Sequence, residues 1–164
     1  MKRFILICVC LLLAGCGNRT ALEPIVPAQK NYESIIRESR DPDDTVQIIT
    51  SPKQDMYGLL ELYELDEDLM EQYAISISAK NTQSYAIAII RPTPDSQEEV
   101  YDKLAALVDL QKTAQRDYLP EQYEIACDAK LEIQPGGEVV LVMCEDSDEV
   151  YDAICEELGE EVEK

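Results

Sequence analysis

The sequence of 164 residues contains no histidine, no tryptophan and a single phenylalanine, and it is poor in basic residues. Because histidine is the only side chain that titrates near neutral pH without perturbation, its absence excludes imidazole acid–base catalysis and histidine ligation of a metal. The chain carries 14 Lys and Arg against 34 Asp and Glu, which gives a formal net charge of -20. A surface this acidic repels phosphate backbones, so we expect no nucleic-acid partner.

The N-terminal segment combines two basic residues with a short apolar run. Lys2 and Arg3 precede the run FILICVCLLL. This run is about half as long as the roughly 20 apolar residues that a membrane-spanning helix needs. The pattern predicts a secretory signal peptide over residues 1–15.

The apolar run ends in the tetrapeptide LAGC, which resembles the bacterial lipobox. In a lipobox the cysteine thiol receives a diacylglyceryl group and the chain is cleaved before that cysteine. We therefore expect cleavage between Gly15 and Cys16 and a lipid on Cys16. The alternative is an ordinary signal peptide followed by an incidental cysteine.

Cleavage at this point makes the exported chain more acidic. The removed 15 residues include two basic and no acidic ones, which leaves 149 residues with a charge of -22. Such a surface does not adhere to anionic lipids, whereas acyl chains contribute roughly 0.8 kcal/mol per buried methylene. We expect the protein on the extracytoplasmic side of the cell membrane, held there by its lipid.

The mature chain divides into a tether and one domain. Residues 16–28 contain Pro24 and Pro27 and have neither a helical nor a strand period, which predicts a short tether. Residues 29–164 have the length of a single small domain and end in an acidic tail.

Apolar periodicity predicts an α+β fold for this domain. A period near 3.6 predicts helices over 29–39, 51–63, 96–118 and 147–158, and a short continuation after Pro120. Ser96 and Glu99 form a capping-box pattern at the start of the longest helix. Alternating or continuous apolar residues predict strands over 74–79, 85–90, 131–133 and 139–144. The predicted order is α-α-β-β-α-β-β-α around a small antiparallel or mixed four-stranded sheet.

Several short sequences occur in an order that is similar to one bacterial family. They are the lipobox, YELD at 63–66, YAIAI at 85–89, Gln111, YLPEQY at 118–123 and a glycine turn before the last helix. With them, residues 55–158 resemble the small bacterial lipoproteins grouped as domain of unknown function four-three-five-eight. The resemblance implies an envelope lipoprotein, and it implies no activity and no cofactor.

Three cysteines accompany Cys16 in the mature chain. Cys144 ends a predicted strand and Cys155 lies on the apolar face of the next helix, which allows an extracytoplasmic disulfide between them if the compartment is oxidising. The alternative is that Cys127, Cys144 and Cys155 are small buried thiols. Because the chain has no histidine, a cysteine nucleophile would lack its usual base, and we predict no catalytic residue.

Acidic clusters and tyrosines supply the remaining candidates. The clusters at 41–44, 64–68 and 145–149 lack the ligand spacing of a calcium loop, so we interpret them as solvated caps and predict no metal and no cofactor. Tyr73, Tyr118 and Tyr123 flank the ends of predicted elements, which makes them candidates for a contact surface. Core packing is the alternative for each tyrosine.

These observations favour a non-enzymatic, membrane-anchored module that binds another component of the cell envelope, most simply a protein. The alternative is a small hydrolase that acts on an envelope substrate with carboxylates or a metal ion. Two convergent acids in a deep cleft would favour the hydrolase.

Overall fold

A computed structural model of the chain describes residues 30–160, with the side chain of Glu160 excepted. The predicted signal peptide, the cleavage site at Gly15 and Cys16 and the tether over 16–28 lie outside the described residues, as does the acidic end over 161–164. Between residues 30 and 160, no helix has both the length and the apolar character needed to cross a membrane.

The described residues form an α+β fold with one five-stranded antiparallel sheet. The helices are α1 (Tyr32–Ser39), α2 (Gly58–Leu62), α3 (Gln97–Gln115), α4 (Pro120–Cys127) and α5 (Ser147–Glu160). The strands are β1 (Ile48–Ile49), β2 (Met70–Ile77), β3 (Ala86–Pro92), β4 (Lys130–Ile133) and β5 (Val139–Met143). Their order across the sheet is β1-β2-β3-β5-β4.

The prediction of four strands was wrong by one edge strand. β1 consists of Ile48 and Ile49, which pair with Ser76 and Ile75 of β2. Two residues are too few to show a period, so only the pairing with β2 defines this strand. The alternative of a mixed sheet is also excluded, because all four strand pairs are antiparallel.

Two predicted helix starts differ in detail from the structure. The helix predicted over 51–63 is a 3₁₀ turn, Asp55–Tyr57, followed by the short α2, which begins at Gly58. Glycine is a poor helix former, which explains the shortened element. Helix α3 follows Ser96 as predicted, but the Ser96 side chain makes no capping hydrogen bond, and its Oγ lies 2.8 Å from Thr93 Oγ1 instead.

The two central strands, β3 and β5, are buried on both faces of the sheet. Helices α2, α3 and α4 cover one face, where Leu104 and Leu107 pack with Ala88 and Leu141. Helices α1 and α5 cover the other face, and their buried apolar residues contact the opposite sides of the same strands. The residues of this second layer include Ile36, Ile87, Ile89, Val140, Val142 and Ile154. The fold is therefore a three-layer sandwich with the sheet in the middle.

A buried carboxylate holds the first residue of α1 against the sheet. Tyr32 Oη donates a hydrogen bond to Glu138 Oε1 over 3.0 Å, and Arg91 Nη2 donates to the same oxygen. Burial raises the pKa of Glu138, but hydrogen bonds from its own backbone N–H, from Arg91 and from Tyr32 outweigh burial and lower the pKa below its ordinary value. A Cβ at position 136 would clash with the Glu138 carboxylate, which explains Gly136.

The Glu138 carboxylate predicts a specific dependence of stability on pH. Because its pKa is lower in the folded state, its contribution is complete above the ordinary value of 4.5 and is lost as the pH falls through the folded value. Glu138→Gln removes the charge and keeps the size. We expect the loss of unfolding free energy in this variant to be largest near neutral pH and to shrink as the pH falls below the ordinary pKa of 4.5.

Equilibrium urea unfolding of the two chains at several pH values measures this difference. Glu98→Gln, which changes an exposed carboxylate of α3, serves as the control and should differ little from the parent chain at any pH. A Glu138→Gln difference that stays constant or grows on acidification would contradict the assignment.

Candidate functional site

An open cleft of about 420 Å³ lies at the end of the sheet where β2 and β5 finish and β3 begins. Its walls come from the loop between α1 and β1, the β2–β3 turn, α4 and the turn between β5 and α5. Tyr85, Ile87 and Val150 supply buried apolar surface. The volume is in the range of sites that bind small molecules or single side chains.

Arg40 is the central charged residue of the cleft. It follows the last residue of α1, so the helix delivers it to the sheet, where it is only 7% exposed. Its Nη1 donates hydrogen bonds to Ser76 Oγ at 3.0 Å, Tyr85 Oη at 3.2 Å and the Val46 carbonyl at 2.9 Å. Among the described residues, its Nε and Nη2 have no hydrogen-bond acceptor. The guanidinium is therefore fixed along one edge and open along the other.

Carboxylates form most of the rim around Arg40. Asp44 Oδ2 lies 3.7 Å from Arg40 Nη1, while Asp44 Oδ1 accepts a hydrogen bond from the Val46 N–H over 2.8 Å. Asp41 Oδ1 accepts from the Asp43 N–H over 2.7 Å, which stabilises the same loop. The exposed Glu145 and Asp146 complete the acidic rim, and Lys80 lies on it as the one exposed base among the described lining residues.

Buried hydroxyl groups lie beside this rim. Burial raises the pKa of Tyr85, and the neighbouring Asp44 carboxylate acts in the same direction, so the phenol stays protonated and remains a hydrogen-bond donor. Ser84 is 2% exposed and lines the cleft, and its Oγ has no partner within the described part of the chain. The Ser84 backbone N–H donates to Gln122 Oε1 of α4 over 2.7 Å, which ties the β2–β3 turn to that helix.

The cleft and the entry point of the chain lie at opposite ends of the sheet. The Lys30 carbonyl accepts a hydrogen bond from Gln72 near the start of β2, and Lys30 Nζ donates to the Leu158 carbonyl near the end of α5. Helix α1 then runs along the sheet to Arg40. The seven residues of β3 separate the two ends by about 20 Å at roughly 3.3 Å per residue.

The three tyrosines predicted as a contact surface do not form one. Tyr73 is 8% exposed and packs in the sheet face beneath α3, because β2 begins at Met70 and includes it. Its hydroxyl is buried and has no partner between residues 30 and 160, and burial raises its pKa to about 12. The prediction for Tyr73 was wrong. Tyr118 is 84% exposed and Tyr123 is half-buried, on either side of the junction between α3 and α4.

The structure does not bring Cys144 and Cys155 together. Both thiols are free, and Cys127 is free and exposed. Cys155 Sγ contacts Gln134 Oε1 at the turn before β5, whereas Cys144 follows the end of β5. Since α5 runs antiparallel to β5, Cys155 lies near the start of the five-residue strand and Cys144 follows its end, and the strand alone is about 13 Å long at roughly 3.3 Å per residue. The arrangement excludes the possible disulfide and leaves the alternative of three thiols, of which Cys127 is exposed rather than buried.

The carboxylates of the acidic rim are of the type that binds hard metal ions. Within residues 30–160, no three or more cysteine, aspartate and glutamate side chains are grouped so that they could hold a metal ion. The rim carboxylates of the α1–β1 loop instead accept backbone hydrogen bonds from their own loop.

Arg40 was not predicted as a site residue, and the acidic residues that follow it at 41–44 were interpreted only as solvated caps. One feature of the sequence pointed to Arg40 as a candidate: this arginine comes directly after an amphipathic helix and is followed by the acidic run DPDD. Nothing in the neighbouring sequence predicted its contacts, since Ser76 and Tyr85 lie 36 and 45 residues further along the chain.

The fold and this cleft define a small three-layer α+β domain with an acidic site at one end. Residues 47–144 match the family described as domain of unknown function (DUF4358), and the chain belongs to that family. The match includes the whole sheet and helices α2 to α4, and it leaves α1 and α5 outside. No curated protein and no solved structure matches the chain.

The cysteine environments predict an order of thiol reactivity. Burial raises the pKa of the Cys144 and Cys155 thiols, so both hold less of the reactive thiolate than a free cysteine does. We expect iodoacetamide to alkylate the exposed Cys127 first and Cys144 only after unfolding. Peptide mass mapping after native and denaturing alkylation measures each site separately. Detection of a Cys144–Cys155 linked peptide in the unreduced protein would contradict this arrangement.

Proposed function

We propose that this protein is a lipid-anchored lipoprotein of the bacterial cell envelope whose acidic domain is a non-enzymatic binding module for another envelope protein. The diacylglyceryl group on Cys16 attaches it to the extracytoplasmic side of the cell membrane. The domain binds its partner through the cleft that contains Arg40.

The observation that carries this proposal is the placement of the cleft relative to the entry of the chain. Lys30, where the tether joins the domain, lies at the start of β2, and the cleft opens at the far end of the same strand. A tether at one end directs the opposite end away from the membrane. The cleft is then presented to proteins in the envelope space.

The charge distribution supports the same orientation. The exported chain carries a charge of -22 once the basic signal segment is removed. An anionic leaflet repels such a domain, while the lipid keeps it attached. Repulsion and attachment together favour a domain that stands away from the head groups.

The chemistry of the cleft supports binding rather than turnover. Cys144, the thiol that lines the cleft, is buried, and burial raises its pKa, which reduces its nucleophilicity at neutral pH. Tyr85 remains protonated for the same reason. Both groups suit hydrogen bonding and packing, and the chain has no histidine to act as a general base.

Acyl labelling tests the anchor. Cells that express the chain should incorporate radioactive palmitate into it and retain it in the membrane fraction, because Cys16 carries the lipid. The Cys16→Ala variant should lose both properties, while Cys127→Ala, which changes an exposed cysteine of the domain, should keep them. Labelling or membrane retention that survives in Cys16→Ala would reject the anchor.

Site-specific photo-crosslinking tests the binding module. A photoreactive amino acid at Lys80, on the rim of the cleft, should capture a defined envelope protein in intact cells. The same amino acid at Glu98, exposed on α3, should capture it much less. Equal capture from both positions would remove the cleft from the proposal. Turnover of a cell-wall substrate by the purified chain, without any captured protein, would favour the hydrolase instead.

A further inference from the structure

We propose that the cleft binds a lysine- or arginine-rich peptide segment of the partner, with its basic side chains on the acidic rim and a main-chain carbonyl on Arg40. This inference rests on the proposed function and names the chemistry of the partner at the same site. Its evidence is the arrangement of charges, free donors and space around Arg40.

The acidic rim of the cleft favours a cationic ligand. Five carboxylates line the cleft, from Asp41, Asp43, Asp44, Glu145 and Asp146, against the two bases Arg40 and Lys80. Two of the five, Asp41 and Asp44, already accept backbone hydrogen bonds, and Asp44 also lies 3.7 Å from Arg40. In the described structure, Asp43, Glu145 and Asp146 have no basic side chain within ion-pair distance and are exposed. A ligand with ammonium or guanidinium groups would compensate their charge.

The Arg40 guanidinium favours a ligand that also carries a hydrogen-bond acceptor. Arg40 is 7% exposed, and its Nε and Nη2 have no acceptor among the described residues, although neither is one of the fully buried unpaired atoms of the described structure. A ligand oxygen can accept from these N–H groups in the open cleft, and the same ligand can pair the buried Ser84 Oγ, which has no partner among the described residues and lines the cleft. A free anion would meet the acidic rim, whereas a peptide carbonyl brings an acceptor without a net negative charge.

The space around the cleft suits a peptide segment rather than a single amine. A second depression of about 510 Å³ continues from the cleft and shares five lining residues with it, Gln122, Ile125, Cys144, Glu145 and Asp146. Its other walls add the acids Glu121, Glu124, Asp128, Asp148 and Glu149, of which Asp148 forms an ion pair with Lys130. The two depressions together provide an elongated acidic groove between α4 and the start of α5.

A pair of ligands of equal charge separates this inference from general attraction to a polyanion. The probe is acetyl-tetralysine amide, which has four ammonium groups and peptide carbonyls, and the comparison is spermine, which has the ammonium groups alone. Binding to the mature lipidated protein in a non-ionic detergent is measured by calorimetry at about 0.15 M salt, where exposed charges are screened beyond roughly 8 Å. We expect the peptide to bind at least about tenfold more tightly than spermine.

Two matched double variants locate the site. Asp43→Asn with Glu145→Gln removes two exposed charges from the rim, and Glu98→Gln with Asp102→Asn removes two exposed charges from a separate acidic depression on α3. We expect the first pair to weaken peptide binding about five- to tenfold and the second pair less than about twofold. Equal effects of the two pairs would overturn the site.

Arg40→Lys tests the guanidinium at constant charge. Because lysine lacks the planar set of donors, we expect the preference for the peptide over spermine to disappear in this variant. Circular dichroism checks its folding, and if it does not fold, the two double variants decide. Equal binding of peptide and spermine by the parent chain would overturn the inference. Photo-crosslinking to a partner from Lys80 would then still support the proposed function, so the two failures can be told apart.

Discussion

Strands β3 and β5 carry apolar side chains on both of their faces, and the need to cover two faces of one sheet organises the rest of the domain. Full burial of one large aliphatic side chain contributes about 1.5–3 kcal/mol, so an uncovered face would remove much of the stability of a small domain. Helix α3 covers one face with its stripe of valine and leucine. Helices α1 and α5 cover the other, although both lie outside the residues matched to the family.

Helix α1 is short, and polar contacts at its two ends determine how it lies on the sheet. At its start, Tyr32 reaches the buried carboxylate of Glu138, and directly after its end Arg40 reaches Ser76 and Tyr85. Both charged groups are desolvated, so each needs several hydrogen bonds to offset the loss of water. The two contacts lie at opposite ends of the strands. One of them ties the helix to the entry of the chain, and the other forms the floor of the cleft.

The two buried charged groups differ in how many of their hydrogen-bonding atoms have partners. The Glu138 carboxylate has donors from a tyrosine, an arginine and its own backbone, and it serves the stability of the fold. Within the described part of the chain, the Arg40 guanidinium has acceptors for one nitrogen, and it lies in an open cleft with an acidic rim. A buried charged group whose hydrogen bonds are all made stabilises the fold. One that has unpaired donors beside open space can still bind a ligand through them. This difference is the physical basis for placing the binding site at Arg40.

The helices and central strands could be predicted because their signals are local. Val100, Leu104 and Leu107 recur along α3 at helical spacing, and the apolar run of β5 is long enough to indicate a strand buried on both faces. The acidity, the lack of histidine and the LAGC tetrapeptide are likewise properties of the sequence itself. They were sufficient to direct the functional interpretation toward an exported binding protein.

The tertiary structure decided what depends on residues distant in the chain. β1 is defined only by its pairing with β2. Tyr73 is a core residue because β2 begins before the alternating apolar residues that predicted the strand. Cys144 and Cys155 lie apart because α5 runs antiparallel to β5. Arg40 became a site residue through partners 36 and 45 positions away. Periodicity reports which face of an element is apolar, but it carries no information on which elements meet. Sheet register and helix direction supply that information, and they exist only in the folded chain.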